Sequence, residues 1–165
     1  MAEIINPYTP GQPVDDPDLF FGRRDVLAGV RENLVKGRRV FAVSGPRRMG
    51  KTSLLRHLSL DLPEGFVPVR VELQEELPPA QAEERAPRLD ELLWRLAGAI
   101  GDQVGRQLGV EGLEPAWVDF EGQTDRLLTQ FWPLVRVLLE SRCLVLMLDD
   151  LGSLAGEQAN LLEPF

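Results

Sequence analysis

The sequence predicts an α/β fold in which a parallel sheet carries helices on both faces. Short apolar runs bounded by turn residues alternate with stretches of helical spacing, the order typical of parallel sheets. With 165 residues, 44% of them hydrophobic, the chain is long enough to bury a core. Its longest apolar run, residues 143–148, is far shorter than the roughly 20 residues of a membrane helix. The single cysteine excludes an internal disulfide and favours a reducing, cytoplasmic location.

The elements of the N-terminal third follow from spacing and turn residues. Residues 1–21 are rich in Pro, Asp and Gly and predict an extended lead-in. Apolar residues at helical spacing predict a helix over 22–35, and Gly37 follows where a C-terminal cap belongs. Val40 to Val43 is predicted as a buried strand, and a second helix is expected between Gly50 and Pro63.

The rest of the chain repeats this alternation. Residues 66–73 alternate apolar with polar positions and predict a strand that Pro68 places at a sheet edge. The acidic residues 74–87 predict a solvated loop, and a long amphipathic helix, weakened by three glycines, is expected over 89–104.

Two elements are predicted before the chain ends. A helix over 127–138 is expected to kink near Pro133, and residues 143–148 form the most apolar predicted strand. Residues 151–165 are expected to form a loop and the beginning of a helix. In sheets of this kind ligands bind beyond the carboxyl ends of the strands.

Residues 45–52 match the phosphate-loop pattern G-x-x-x-x-G-K-[ST]. The match follows a predicted strand directly and opens a predicted helix, as phosphate binding requires. Gly45 and Gly50 permit backbone angles that let the loop amides point at phosphate oxygens. Lys51 is predicted to reach the β- and γ-phosphates and Thr52 to ligate Mg²⁺.

The apolar strand at 143–148 ends in two adjacent acids, which are costly there unless a cation compensates. Asp149 is predicted to hold Mg²⁺ through water, and Asp150 to orient or deprotonate an attacking water. Alternatively, the two acids simply begin a turn. Asp149 to Gly152 also fits the D-x-x-G pattern of GTPases, but no N-K-x-D occurs, so ATP is favoured over GTP.

Charge is divided unevenly along the chain. Residues 1–60 carry a net charge of +4 and residues 61–165 a net charge of −12. The basic excess is densest over residues 31–56, which indicates either an anion site or a solvated basic face. Arg47 and Arg48 of the loop either add charge near phosphates or face solvent. The overall charge of −8 argues against a general DNA-coating protein.

Three segments together resemble the AAA-like signal-transduction ATPases of the STAND class: NPYTPGQPVDDPDLFFGRRD (6–25), VFAVSGPRRMGKTSLL (40–55) and CLVLMLDDL (143–151). Residues 74–142 carry no motif of that class. The resemblance implies a three-layer P-loop NTPase fold of the ASCE type, with Phe21, Gly22 and Arg23 bordering the adenine. A hydrophobic staple at a helix start is the alternative reading of these three residues. The predicted nucleotide-binding residues are thus Phe21, Gly22, Arg23, Gly45, Pro46, Arg47, Arg48, Met49, Gly50, Lys51, Thr52 and Ser53.

The class has a further strand, a sensor residue, an arginine-bearing region and a lid later in sequence. We therefore expect residues 22–165 to be a partial NTPase domain, with its phosphate-loop strand and helix at 38–61 and its acidic strand at 143–150. The domain would continue beyond residue 165 toward sensor or effector domains, or self-associate. A truncated product that folds poorly or pairs its strands differently is the alternative.

The function that these features predict is ATP–Mg²⁺ binding with slow ATP hydrolysis, as a regulatory switch. A nucleotide-gated scaffold without hydrolysis and a DNA-processing ATPase of the initiator or loader type are the alternatives. His57, the only histidine, is expected to be an exposed or partly packed helix residue. Cys143 is expected to be a buried small hydrophobe, and the three tryptophans to be core or inter-domain contacts.

Overall fold

The computed structural model describes residues 22–46, 48–73 and 89–149. The predicted lead-in, the acidic loop and the C-terminal tail therefore lie outside the described residues. The chain divides into two compact units, residues 1–63 and residues 64–165. The described part is mixed α/β, with five α-helices, one π-helical turn and a two-stranded parallel sheet.

The first unit contains helices α1 (Arg24–Val35) and α2 (Lys51–Leu60). The second contains β1 (Phe66–Glu72), α3 (Leu89–Leu108), α4 (Trp117–Phe120), the π-helical turn (Leu127–Phe131), α5 (Trp132–Leu139) and β2 (Cys143–Asp149).

Helix α1 ends at the predicted glycine. Gly37 has a φ of +84°, and the N–H of Arg38 donates to the carbonyl of Asn33 at 2.9 Å. A left-handed residue followed by this long-range bond is a Schellman cap, which satisfies a carbonyl that the helix leaves without a donor. The predicted helix and its cap are confirmed.

The strand predicted over Val40–Val43 is wrong. Residues 38–46 form neither helix nor strand, and Val40 and Val43 are 82% and 39% exposed. A strand exists through hydrogen bonds to a neighbouring strand, and the sheet of the described residues consists of β1 and β2. An apolar run predicts burial but carries no information on which segment supplies those bonds.

Strands β1 and β2 pair in parallel over their full length. Phe66 lies opposite Cys143 at one end and Glu72 opposite Asp149 at the other. Helices α3, α4 and α5 lie between them in sequence, as a parallel connection requires. The predicted parallel pairing is confirmed, and both carboxyl ends lie at one end of the sheet.

The core of the second unit lies on one face of this sheet. Alternate residues of β1 are buried, because successive side chains of a strand point to opposite faces. Helices α3 and α5 cover the buried face, and Leu144 and Leu148 of β2 pack against the same core. The core residues are Val67, Val69, Val71, Leu73, Ala97, Ile100, Val104, Phe120, Phe131, Val135 and Leu139.

The edge of β1 away from β2 is closed by two glutamines of α3. Gln103 donates to the carbonyl of Arg70 at 2.6 Å and accepts from the N–H of Arg70 at 2.8 Å. One turn later Gln107 donates to the carbonyl of Pro68 at 2.7 Å. Pro68 has no N–H to satisfy on this side, so its predicted edge position is confirmed.

Glycines let a loop approach α3 closely. A Cβ at Gly101 would lie 2.6 Å from the carbonyl oxygen of Leu113, and one at Gly105 would lie 2.5 Å from that of Val110. Gly98 has no atom within 4 Å of its Cβ position. The helix ends in a Schellman cap, in which the Val110 N–H donates to the Gly105 carbonyl at 2.9 Å.

The predicted irregularity near Pro133 is confirmed. The N–H of Trp132 bonds to the carbonyl of Leu127, five residues earlier, which closes a π-helical turn. Pro133 then begins α5. Because proline has no N–H, it is tolerated in the first turn of a helix, where such groups have no partner.

The tryptophans are confirmed as core contacts. Trp94, Trp117 and Trp132 all pack against the core of the second unit. Trp94 donates from Nε1 to the carbonyl of Pro115 at 2.8 Å, and its ring meets that of Trp117 edge-on at 5.5 Å.

Two expectations about single residues are corrected. Cys143 is exposed and is the first residue of β2. His57 is buried, with 5% exposure. Ser53, Leu54, His57 and Leu58 share the buried stripe of α2, and residues three and four apart lie on one helix face.

Candidate phosphate-binding site

The predicted phosphate loop is a sharp turn that runs directly into α2. Gly45, Arg48 and Gly50 have positive φ angles of +151°, +62° and +73°. Gly50 is left-handed and is the residue immediately before the helix. Left-handed residues in such turns help successive backbone N–H groups converge on an anion.

Arg48 holds a backbone conformation that residues with a Cβ rarely adopt. The left-handed region costs a non-glycine residue roughly 1–2 kcal/mol. Residues in such conformations cluster at ligand-binding sites, where surrounding structure holds them in place. The sequence motif leaves this position free, so nothing in the spacing predicts the strain at Arg48.

The beginning of α2 presents several N–H groups that have no partner within the helix. The first helical bond runs from the N–H of Leu54 to the carbonyl of Gly50 at 3.1 Å. The N–H groups of Lys51 and Thr52 precede it. No side chain caps this end, and no acidic residue lies in the first turn. With the positive end of the helix dipole, this arrangement suits an anion.

Lys51 folds back over the first half of the loop. Its Nζ donates to the carbonyls of Gly45 and Pro46, each at 3.0 Å. An ammonium group has three donors on a flexible stem. Lys51 can therefore exchange these carbonyls for phosphate oxygens without a change in the backbone.

Arg23 contacts the second half of the loop. Its Nη1 donates to the carbonyl of Gly50 at 3.1 Å, and its Nη2 donates to the carbonyl of Met49. Arg23 also precedes α1, and its own carbonyl accepts from the Leu27 N–H at 3.1 Å. The structure thus brings Arg23 to the turn that precedes Lys51, whereas the sequence connected Arg23 with this loop only through a resemblance.

Several basic side chains of residues 31–56 are engaged within the protein. Arg31 pairs with Asp61, and Lys36 pairs with Glu32 one helical turn away. Arg38 stacks over the ring of Phe41, 5.9 Å from its centroid. The charge pattern therefore overstates the number of basic side chains in residues 31–56 that are available to an anion. Those in and next to the loop remain as candidates.

The predicted Mg²⁺ donors are oxygen groups, one in each unit. Thr52 lies in the first turn of α2. Asp149 is the last residue of β2 and is buried, with 7% exposure. Hydroxyl and carboxylate oxygens are the kind of ligand that Mg²⁺ prefers. In the parts of the chain that the structure describes, no group of three or more His, Cys, Asp or Glu residues is arranged to hold a metal.

Three of the predicted site residues fall outside the described residues, namely Phe21, Arg47 and Asp150. Gly22 is described and has a φ of +79°. The contact between Arg23 and the loop backbone is the feature that sequence reasoning missed. Arg23 and Gly50 are 27 positions apart, and no periodicity connects them.

Comparison of the chain with protein-family models, with curated proteins and with solved structures finds no match. Over residues 22–46, 48–73 and 89–149, no helix combines the length and apolar character that crossing a membrane demands.

Proposed function

We propose that this chain binds ATP with Mg²⁺ at residues 45–52 and hydrolyses it slowly, as a nucleotide-dependent switch. The observation that carries the proposal is the local structure of the loop. A left-handed turn leads into the uncapped N-terminus of α2, and the ammonium of Lys51 lies across the loop's own carbonyls. Converging N–H groups and a mobile cation are what a polyphosphate requires.

The residues have distinct roles in this proposal. Lys51 and the N–H groups at the start of α2 hold the phosphates. Thr52 and Asp149 supply oxygen ligands for Mg²⁺, which would neutralise charge on the β- and γ-phosphates. Asp150 accepts a proton from the attacking water, whose oxygen bonds to the γ-phosphorus as the bond to the β–γ bridging oxygen breaks. ADP and inorganic phosphate are the products.

Lys51→Ala tests nucleotide binding, and the chain offers a matched control. Lys36 is the only other lysine and pairs with Glu32 at the end of α1. In this proposal the Lys51 ammonium contacts the β- and the γ-phosphate, and each charge-assisted contact is worth about 1.5–3 kcal/mol. Lys51→Ala should therefore lose affinity at least roughly 100-fold. Titration with a fluorescent ATP analogue and Mg²⁺ should show this loss, and Lys36→Ala should bind like the parent. Equal affinity of Lys51→Ala and the parent protein would refute the proposal.

Hydrolysis is tested separately from binding. Asp150→Asn should bind ATP normally but release inorganic phosphate more slowly, because the amide cannot accept the proton. Unchanged turnover would remove Asp150 from the role of base. Nucleotide binding without turnover in the parent protein would favour a nucleotide-gated scaffold, and competition between ATP and GTP would establish base preference.

A further inference from the structure

Arg23 holds the two peptide groups that join the loop to α2. One of its nitrogens bonds to the carbonyl of Gly50 at 3.1 Å and the other to the carbonyl of Met49. The guanidinium carbon and nitrogens lie 3.6–3.7 Å from the Cβ position of Gly50. This is ordinary contact distance, so the guanidinium packs flat against the backbone of the turn.

The planarity of these peptides determines what the contact does. In a trans peptide the C=O and the N–H point in opposite directions. The carbonyl of Met49 shares its peptide with the N–H of Gly50, and the carbonyl of Gly50 shares its peptide with the N–H of Lys51. Arg23 donates to both carbonyls, and the N–H of Leu54 also donates to the carbonyl of Gly50, so the N–H groups of Gly50 and Lys51 both point away from Arg23.

Those two N–H groups belong to the donors available to an anion at the start of α2. Neither is used by the helix, whose first bond begins at the N–H of Leu54. A positive group on the carbonyl side of a peptide also polarises it and strengthens the N–H as a donor. Arg23 therefore favours anion binding without touching the anion, because it lies on the carbonyl side of the two peptides and the anion would lie on their N–H side.

We propose that Arg23 is a positioning residue that acts on a bound polyphosphate through the backbone N–H groups of Gly50 and Lys51. This inference rests on the proposed function and deepens it. It differs from the role that the family resemblance implies, in which Arg23 borders the adenine. It also couples the phosphate loop to the beginning of α1, since the same residue ends the preceding segment and accepts from Leu27.

Lys51 and Arg23 bond to different backbone carbonyls of the loop. Lys51 bonds to the carbonyls of its first half, Gly45 and Pro46, and must release them to reach a phosphate. Arg23 bonds to the carbonyls of the second half and keeps them when the ligand arrives. The effect of Arg23 should thus be the same for every ligand that carries the phosphates, whatever base is attached.

Inorganic tripolyphosphate and ATP, each with Mg²⁺, distinguish the two roles of Arg23. Isothermal titration calorimetry would measure both affinities for the full chain, Arg23→Ala, Arg23→Lys and the control Arg24→Ala. Arg24 is exposed and is the first residue of α1, so its replacement removes the same charge from the same helix end. Arg23→Ala should lose about ten-fold for both ligands, as expected when charge-assisted bonds are removed. Arg23→Lys should lose less than Arg23→Ala, because lysine keeps the positive charge and its ammonium can still donate to a carbonyl of the turn.

Several results would overturn the inference while leaving nucleotide binding intact. If Arg23→Ala weakens the binding of ATP but not of tripolyphosphate, the Arg23 side chain acts on the adenine and not on the phosphates. An equal loss of affinity in Arg24→Ala would show that the loss in Arg23→Ala comes from removing a positive charge near the start of α1 and not from the contacts of Arg23 with the loop. An unchanged affinity would remove the role altogether. If the parent chain binds neither ligand, the proposed function itself fails, and this inference fails with it.

A structural readout separates positioning from unfolding. In the ligand-free protein, Arg23→Ala should shift the amide ¹H–¹⁵N resonances of Gly50 and Lys51, with the thermal unfolding midpoint measured by circular dichroism close to that of Arg24→Ala. Resonances of Gly50 and Lys51 that stay in place would overturn the proposal. A collapse of the whole first unit in both Arg23→Ala and Arg23→Lys would do so as well, since Arg23 would then be a folding residue.

Discussion

Replacing Gly105 by alanine should destabilise the second unit, although alanine is the better helix former. A Cβ at this position would lie 2.5 Å from the carbonyl oxygen of Val110. That oxygen cannot easily retreat, because the N–H of the same Val110 is bonded to the carbonyl of Gly105 at 2.9 Å. The contact therefore has to be relieved by moving the loop away from α3.

The size of the expected change in unfolding free energy follows from a comparison with Gly98 in the same helix. Gly98 has open space at its Cβ position, so Gly98→Ala should gain about 0.5–1 kcal/mol from helix propensity alone. Gly105→Ala gains the same propensity term but adds an overpacking cost of about 1–3 kcal/mol. The free energies of unfolding of the two variants should therefore differ by about 1–3 kcal/mol, with Gly98→Ala the more stable.

Urea denaturation followed by tryptophan fluorescence measures this difference where it arises. All three tryptophans lie in the second unit, so the signal reports unfolding of the part that contains α3. The slope of the transition should be the same in both variants if only the native state has changed. Equal stabilisation of the two variants would refute the close approach of the loop to Gly105.

The same assay tests two polar side chains of α3, half-buried Gln103 and buried Asp90. Gln103→Met keeps the side-chain volume but removes both bonds to Arg70, so the unfolding free energy should fall by about 1–3 kcal/mol and the Arg70 amide should exchange faster. Unchanged exchange at Arg70 would contradict the contact. Asp90 is 3% exposed and accepts from the N–H groups of Gly122 at 2.7 Å and Glu91 at 3.0 Å. Asp90→Ala should lower the unfolding free energy by about 2 kcal/mol. Half-buried Asp102 pairs with exposed Arg106 on the same helix, and Asp102→Ala should cost less than about 1 kcal/mol. Equal unfolding midpoints for the two variants would argue against the buried role of Asp90.

Periodic patterns predicted the elements that depend on local spacing. Helices α1, α2 and α3 and strands β1 and β2 lie where the apolar periodicity indicates. The segment Val40–Val43 has an equally apolar pattern but no strand, because ladder bonds come from a neighbour that the pattern does not specify. The sequence predicts the glycines of α3 only as weak points of the helix, because the close approach of a loop is a property of the packed structure.

The candidate site also has a part that the sequence predicts and a part that it does not. The spacing of Gly45, Gly50, Lys51 and Thr52 predicts a turn before a helix, and that turn is present. The contact of Arg23 with the loop backbone joins residues distant in sequence and could be found only from coordinates.

The glutamines on β1 have a consequence for how this sheet can associate with other strands. Exposed backbone at a sheet edge is a template for pairing with any extended segment, including segments of other molecules. Gln103 and Gln107 occupy that backbone at Arg70 and Pro68, so growth of the sheet from β1 is blocked. A strand that adds to this sheet must therefore do so beside β2, and edge-to-edge aggregation through β1 is suppressed.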